Sequence, residues 1–109
     1  PMGQPITVSA TPGSRPGVWH FELNRSVTGM EIKRYRQASE ASGDRIVDRL
    51  ARELFALGVE SVTIYSSVVT VVAAPHLWRD IESQVEETLV NLFVYYPESR
   101  VEAGGNEES

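Results

Sequence analysis

Hydrophobic and polar residues alternate along the N-terminal part of the chain, which is the pattern of half-buried β-strands. Residues 6–10 and 18–23 follow this alternation, and residues 30–35 repeat it in a more polar form. The segment from Thr11 to Gly17 is dense in proline and glycine, which favour turns. We therefore predict two strands joined by a loop, followed by a third, more exposed strand.

The second predicted strand allows two orientations, and they differ in where Trp19 points. If Val18 and His20 face the core, Trp19 is exposed and becomes a candidate interface residue. In the opposite orientation, Trp19 is buried with Phe21 and Leu23. We favour the buried orientation, because an indole ring contributes a large apolar area to a core.

The next segment has the period of an amphipathic α-helix. Its apolar face consists of Ile46, Val47, Leu50, Ala51, Leu54 and Phe55. Its polar face, which we expect to meet water, consists of Asp48, Arg49, Arg52 and Glu53. Ser42 or Asp44 is the expected N-cap, and Gly58 follows the last periodic residue, where a left-handed C-cap favours glycine.

Two β-branched runs and a second helix complete the pattern. Residues 59–65 and 68–74 are nearly apolar throughout and are separated by Ser66-Ser67, which predicts a hairpin of central strands. Pro75 ends the second run and opens a helix that Pro97 closes. The apolar stripe of this helix is Trp78, Ile81, Val85, Leu89, Leu92, Phe93 and Tyr96.

The element order ββ(β)αββα predicts an α+β fold. Two helices with one apolar face each can bury both faces against the same side of a mostly antiparallel sheet of four or five strands, as a two-layer sandwich. We assign residues 1–97 to one domain, and residues 98–109, which are polar and rich in glutamate, to a disordered acidic tail.

Composition narrows the possible chemistry. The chain has no cysteine and two histidines on separate elements, so we expect no thiolate metal site, no other metal site and no cofactor. A net charge of −5 argues against nucleic-acid and membrane partners. Without a disulfide framework or a long apolar run, we expect a cytoplasmic protein.

Several segments, in order, resemble one family. They are Thr11-Pro12, the Phe-Glu-Leu-Asn-Arg run at 21–25, the helix and Gly-Val-Glu-Ser-Val strand start within 50–62, Val68–Val71, and the helix that begins at Trp78. Together they resemble the N-terminal domain of Nfu/NifU-type iron–sulfur cluster scaffold proteins. The chain differs in having Gly13-Ser14-Arg15 where the family has asparagine, and in lacking the domain with paired cysteines.

The resemblance implies a protein-interaction module without catalytic activity, accessory to cluster assembly or delivery. Its partner would be an iron–sulfur assembly factor or a client protein, and another chain would supply the thiolates. Because loops on a rigid scaffold often carry function, we predict a contact surface in the first loop and after the second strand. Its residues are Thr11, Pro12, Arg15, Asn24 and Arg25.

Two alternatives remain open at this stage. An N-terminal proline acts as a general base in some small α+β enzymes, so Pro1, or an acid/base pair assembled in space, could make this chain an enzyme. We expect Pro1, which precedes Met2, to be a vector remnant instead. The other alternative is a regulatory or self-associating domain, and the sequence does not indicate an oligomeric state.

Overall fold

The computed structural model describes residues 5–95. Its strands are β1 (Val8–Pro12), β2 (Val18–Leu23), β3 (Ile32–Tyr35), β4 (Ser61–Tyr65) and β5 (Val68–Val72). Its helices are α1 (Ile46–Phe55) and α2 (Trp78–Tyr95), and short 3₁₀ turns lie at Ala38–Glu40 and Pro75–Leu77. The predicted acidic tail and Pro1 lie outside the described residues.

The five strands form one antiparallel sheet in the order β1-β2-β5-β4-β3. The predicted α+β sandwich is confirmed, with β5 at the centre and β4 beside it. β4 and β5, which correspond to the two apolar runs of the sequence, are interior strands, as their composition predicts. The pairing of β2 with β5 joins the N-terminal hairpin to the C-terminal half of the chain.

Both helices lie on one face of the sheet, α1 over β4 and α2 over β1, and they contact each other. Many strand residues that point to this face are buried, among them Phe21, Val62, Ile64, Val69 and Val71. The helices contribute Val47, Leu50, Leu54, Val85 and Leu89, each with no exposed surface. These alternations follow the period of two in the strands and the 3- and 4-residue spacing in the helices.

Trp19 points to the helix side of the sheet, in the orientation that we favoured, and is partly buried against the core. Its ring centroid lies 6.4 Å from that of Phe21 and 5.7 Å from that of Trp78. The Trp78 Nε1–H donates a hydrogen bond of 2.9 Å to the carbonyl oxygen of Gly17. The first residue of α2 therefore contacts both β2 and the loop before it.

The start of α1 differs from the prediction. Arg45 is the N-cap and its side chain makes no capping hydrogen bond, so neither Ser42 nor Asp44 has that role. Asp48, which we expected in water, is only 7 % exposed. Its carboxylate accepts a hydrogen bond of 2.8 Å from the Tyr35 hydroxyl of β3, and this partner, distant in sequence, offsets the cost of its burial.

Gly58 and Ser66 are two of the described residues that have positive φ. Gly58 has φ of 101° just after α1, which confirms the predicted left-handed C-terminal position. Ser66 in the β4–β5 turn has φ of 55°, an unusual value for a residue with a side chain. Its N–H donates to the hydroxyl of the buried Thr28 at 2.7 Å, which fixes the turn against the loop after β2.

Candidate functional site

The described elements leave the sheet face opposite the helices uncovered, and we call it the open face. Its residues are Ser9 and Thr11 of β1, Val18, His20 and Glu22 of β2, Ile32 and Arg34 of β3, Ser61, Thr63 and Tyr65 of β4, and Val68, Thr70 and Val72 of β5. The residues of β5 and most of their neighbours are half-buried by adjacent side chains alone. The open face therefore combines apolar and hydroxyl groups at the centre of a rigid sheet.

A polar row crosses the middle of the open face. The strand register aligns His20 with Thr70, Thr70 with Thr63, and Thr63 with Arg34. The His20 Nδ1 and Thr70 Oγ1 atoms are 2.9 Å apart, so the imidazole and the hydroxyl are hydrogen-bonded. This bond orients the imidazole and leaves its Nε2 atom as a further hydrogen-bonding group of the row.

The neighbouring row is more apolar and more accessible. Ile32 and Tyr65 are opposite each other in the β3–β4 register, and they are 49 % and 47 % exposed. Val68 continues the row on β5, and Glu22 ends it on β2. A large aliphatic and an aromatic side chain side by side on a rigid sheet form a surface suited to a protein partner.

The five residues of the predicted contact surface do not form one patch. Thr11, Pro12 and Arg15 lie at the end of the β1–β2 hairpin where the loop is, whereas Asn24 and Arg25 follow the other end of β2. A strand of this length spans about 17 Å. Of the five, Thr11 shares the polar row of the open face, because it is aligned with His20.

Asn24 has a structural role. Its side-chain oxygen accepts a hydrogen bond from the Thr7 N–H at 3.2 Å, and its side-chain nitrogen donates to the Pro5 carbonyl at 2.9 Å. The Asn24 N–H also donates to the Thr7 carbonyl at 3.2 Å. These bonds extend the β1–β2 ladder beyond its last paired strand residue, so Asn24 fixes the chain that leads into β1.

A second accessible feature is a groove between the outer edge of β1 and helix α2, which we call the β1 groove. It is lined by Val8, Ser83, Glu86, Glu87, Val90 and Asn91. The helical residues are on the side of α2 next to its buried stripe, at 3- and 4-residue spacing. The groove thus has an apolar floor and an acidic wall.

Tyr35 and Asp48 form the buried carboxylate–phenol pair of the described structure. Burial raises the pKa of the Tyr35 phenol above its usual range, and the hydrogen bond to Asp48 raises it further. Because these effects keep the phenol neutral, its hydroxyl remains a hydrogen-bond donor to the Asp48 carboxylate. The pair therefore fixes β3 to α1 and offers no accessible acid or base.

The part of the chain that the structure describes has neither a metal-binding cluster of His, Cys, Asp or Glu side chains nor a membrane-spanning helix. Within residues 5–95, no three His, Cys, Asp or Glu side chains are grouped so as to hold a metal ion. No helix in that range has the length and apolarity needed to cross a bilayer.

The sequence predicted neither the open face nor the β1 groove. Alternation does show that one face of each strand is more polar, but the strand order decides which of these faces adjoin. The groove depends on α2 lying over β1, and no local pattern encodes that placement. A signal was present in the Ile32 and Tyr65 positions, where a large apolar residue occurs on the polar side of its strand.

Comparison with known proteins shows the fold alone. Protein SAV1430 from Staphylococcus aureus, known from a crystal structure, is similar to this chain, with a TM-score of 0.61 at 17% sequence identity. The similarity covers 79% of this chain and 99% of that one. No protein-family profile and no curated protein matches the sequence.

Proposed function

We propose that this domain is a non-catalytic protein-interaction module that binds another folded protein through the open face. The observation that carries the proposal is the Ile32–Tyr65 pair, half exposed beside Val68 on the uncovered side of the sheet. An aromatic and an aliphatic side chain on a rigid backbone lose little conformational freedom on binding, and such residues dominate many interfaces.

Charged residues on two strands of the open face indicate which charges a partner should present. Arg34 lies on the edge strand β3, and Glu22 lies on β2, three strand spacings away, or about 14 Å. The partner should therefore present a carboxylate and a basic group that flank an apolar centre. Such pairs at the border of an interface set orientation and association rate more than affinity.

The class of partner that we propose rests on the sequence resemblance. The N-terminal domain of iron–sulfur scaffold proteins precedes a cysteine-bearing domain, and this chain has no cysteine. We therefore propose that the module holds an assembly factor or a client protein whose own cysteines ligate the cluster. In this role the domain contributes recognition, and the partner contributes all the thiolates.

A cross-linking experiment in native lysate tests the proposal. The tagged wild-type domain should enrich iron–sulfur assembly proteins or client proteins, and the double variant Ile32→Ser/Tyr65→Ser should lose them. Arg34→Glu should weaken capture, whereas Arg79→Glu on the exposed side of α2 should leave it unchanged. Equal capture by the wild type and the double variant would reject the open face as the contact surface.

The two parts of the proposal can fail separately. If the captured proteins are lost in the double variant but have no connection with clusters, the interaction module stands and the assembly role falls. Circular dichroism of each variant shows whether the sheet is retained. Ile32 and Tyr65 are half exposed, so replacing them should preserve the fold.

A further inference from the structure

The outer edge of β1 carries backbone groups that no other strand within residues 5–95 pairs. On its inner side, the Thr7 carbonyl accepts from Asn24 N–H, and Gly13 N–H donates to the Val18 carbonyl. Antiparallel ladders alternate between bonded and non-bonded pairs, so the odd-numbered residues of this strand bond to β2. The N–H and C=O groups of Val8 and Ala10 therefore point to the outside.

Pro12 fits this alternation and limits the open edge. It is an even-numbered residue, so its missing N–H is on the outer side, the position where an edge strand tolerates proline. Toward the loop, the outer edge thus offers donors at Val8 and Ala10 and no donor at Pro12. An added strand would be short and would pair around these two residues.

The β1 groove lies directly beside this edge. Val8 belongs to both features, since its backbone is on the edge and its side chain lines the groove. A residue opposite Val8 or Ala10 in an added strand would point to the helix side of the sheet, as their own side chains do. Its side chain would extend along Val8 and Val90 toward the carboxylates of Glu86 and Glu87.

We propose that β1 binds an extended segment of a partner protein as a sixth, antiparallel strand, with a lysine or arginine of that segment in the β1 groove. The backbone groups of Val8 and Ala10 supply the pairing, and Glu86 and Glu87 select the basic side chain. Its aliphatic stem would contact Val8 and Val90, which long basic side chains cover readily.

Charge argues against two other occupants of this edge. Pairing of β1 with β1 of a second copy would bring the two α2 helices together, with Glu86 and Glu87 of each copy facing like charges. Residues 96–109 of this chain carry four glutamates and one arginine, so they are also poorly matched to the groove. This inference does not depend on binding through the open face, because strand addition uses the outer backbone edge of β1 and the helix side of the sheet.

A peptide titration tests the proposal with the full chain. The probe is an acetylated and amidated peptide of the sequence threonine–threonine–valine–lysine–valine–threonine–threonine, followed by amide hydrogen exchange and chemical shifts. We expect the Val8 and Ala10 amides to become protected and to shift downfield, and the inner amides of Ser9 and Thr11 to change less. Protection confined to other strands would overturn the proposal.

Two further peptides separate backbone pairing from charge attraction. Methylation of the lysine backbone nitrogen removes the donor that would face Val8 or Ala10, and it should abolish the protection. Replacement of the lysine by glutamate should prevent binding. If the methylated peptide binds as well as the parent, the lysine is held by charge alone and strand addition is wrong.

Protein variants test the groove. Glu86→Gln/Glu87→Gln should weaken peptide binding roughly threefold to tenfold, because each exposed ion pair contributes modestly. Glu53→Gln, on the exposed side of α1, is the matched control and should bind as the wild type does. Concentration-dependent protection of Val8 and Ala10 without peptide would show β1–β1 pairing between copies and would also overturn the proposal.

Discussion

The two edge strands of the sheet differ in how they are held. β3 carries Lys33 and Arg34, and its last residue, Tyr35, is hydrogen-bonded to Asp48 in the core. β1 has no charged residue between Val8 and Pro12, and it borders an open groove. Charged residues discourage pairing at an edge, so β3 is protected against added strands and β1 is accessible.

Residues 36–45, between β3 and α1, strengthen this contrast because side chains hold them in place. Arg45 donates to Glu31 at 2.7 Å across the base of the segment, and Arg52 of α1 donates to the carbonyls of Ala41 and Gly43 at 2.5 and 2.8 Å. The comparison teaches that polar side chains hold the β3 side of the molecule, whereas at the loop end of the β1–β2 hairpin the Gly17 backbone is the point of attachment, through bonds from the Ala73 N–H and the Trp78 indole. The following substitutions test this difference.

Replacement of Gly17 by alanine should have the largest effect. Gly17 has φ of 88°, and a methyl group there would overlap the Ala73 carbonyl oxygen. We expect the free energy of unfolding to fall by about 3 kcal/mol, from backbone strain and the forced shift together. Urea denaturation measures it.

Gly58→Ala is the control for Gly17→Ala. Gly58 also has positive φ, but an added Cβ would meet only the Leu77 side chain, at 3.4 Å. Its cost should be about 1–2 kcal/mol, from strain alone. Equal losses in the two variants would show that the contact with Ala73 is not what fixes the hairpin.

Tyr35→Phe should destabilise the β3 edge by about 2 kcal/mol, because Asp48 would lose its donor while remaining buried. Tyr65→Phe, on the half-exposed open face, should change stability by less than about 0.5 kcal/mol. Urea denaturation of both variants checks the difference. If Tyr65→Phe lost as much stability as Tyr35→Phe, the hydrogen bond from Tyr35 to Asp48 would not be the cause of the loss.

The same tyrosine predicts a dependence on alkaline pH. Folding raises the Tyr35 pKa above its usual value of 10, chiefly through burial. The stabilisation is therefore complete below about pH 10 and is lost as pH rises toward the folded-state pKa. Stability measured from pH 8 to 11 should fall more steeply in the wild type than in Tyr35→Phe, and parallel curves would refute the prediction.

Arg52→Ala should cost about 1 kcal/mol, since two backbone carbonyls lose a charged donor but one of them remains accessible to water. Amide hydrogen exchange within residues 38–45 should accelerate. Arg79→Ala on the exposed side of α2 is the control, and it should leave exchange in this segment unchanged. Exchange at the wild-type rate in Arg52→Ala would show that other contacts hold the segment.

Glu31→Gln should have the smallest effect, below about 0.5 kcal/mol, because both partners of its ion pair are largely exposed. The hydrogen bond from Arg45 lowers the Glu31 pKa below its ordinary value of 4.5. The contribution is thus present above pH 4.5 and is lost as pH falls through the lower folded-state pKa. Acid titration of both proteins should reveal it, and high salt should remove it.

The fold was predictable where local pattern determines structure. The α1 face, the interior strands and the turn at Ser66-Ser67 follow from periodicity and β-branching. Strand limits shifted at β1, which runs from Val8 to Pro12 and not from residue 6 to 10. Pro12 does not interrupt the pairing of β1 with β2, because the N–H that proline lacks would be on the outer side of β1.

The errors share a cause, which is contact between residues distant in sequence. Asp48 reads as a solvent-exposed helix residue until Tyr35 is placed beside it by the β3–β4 pairing. We expected Asn24 and Arg25 to lie beside the first loop, but the length of β2 separates these two residues from that loop. Helix periodicity and turn chemistry contain no information on strand order, so neither the open face nor the β1 groove could be derived from them.

The double acceptor at the Gly17 carbonyl has a consequence for how the chain assembles. It receives the Ala73 N–H and the Trp78 indole N–H, the latter from 61 residues away. During synthesis the N-terminal hairpin therefore remains unpaired with β5 until the C-terminal half of the chain has left the ribosome. Because the Trp19 and Trp78 rings come into contact, with 5.7 Å between their centroids, only when that closure occurs, their fluorescence should report the late step of folding without any added label.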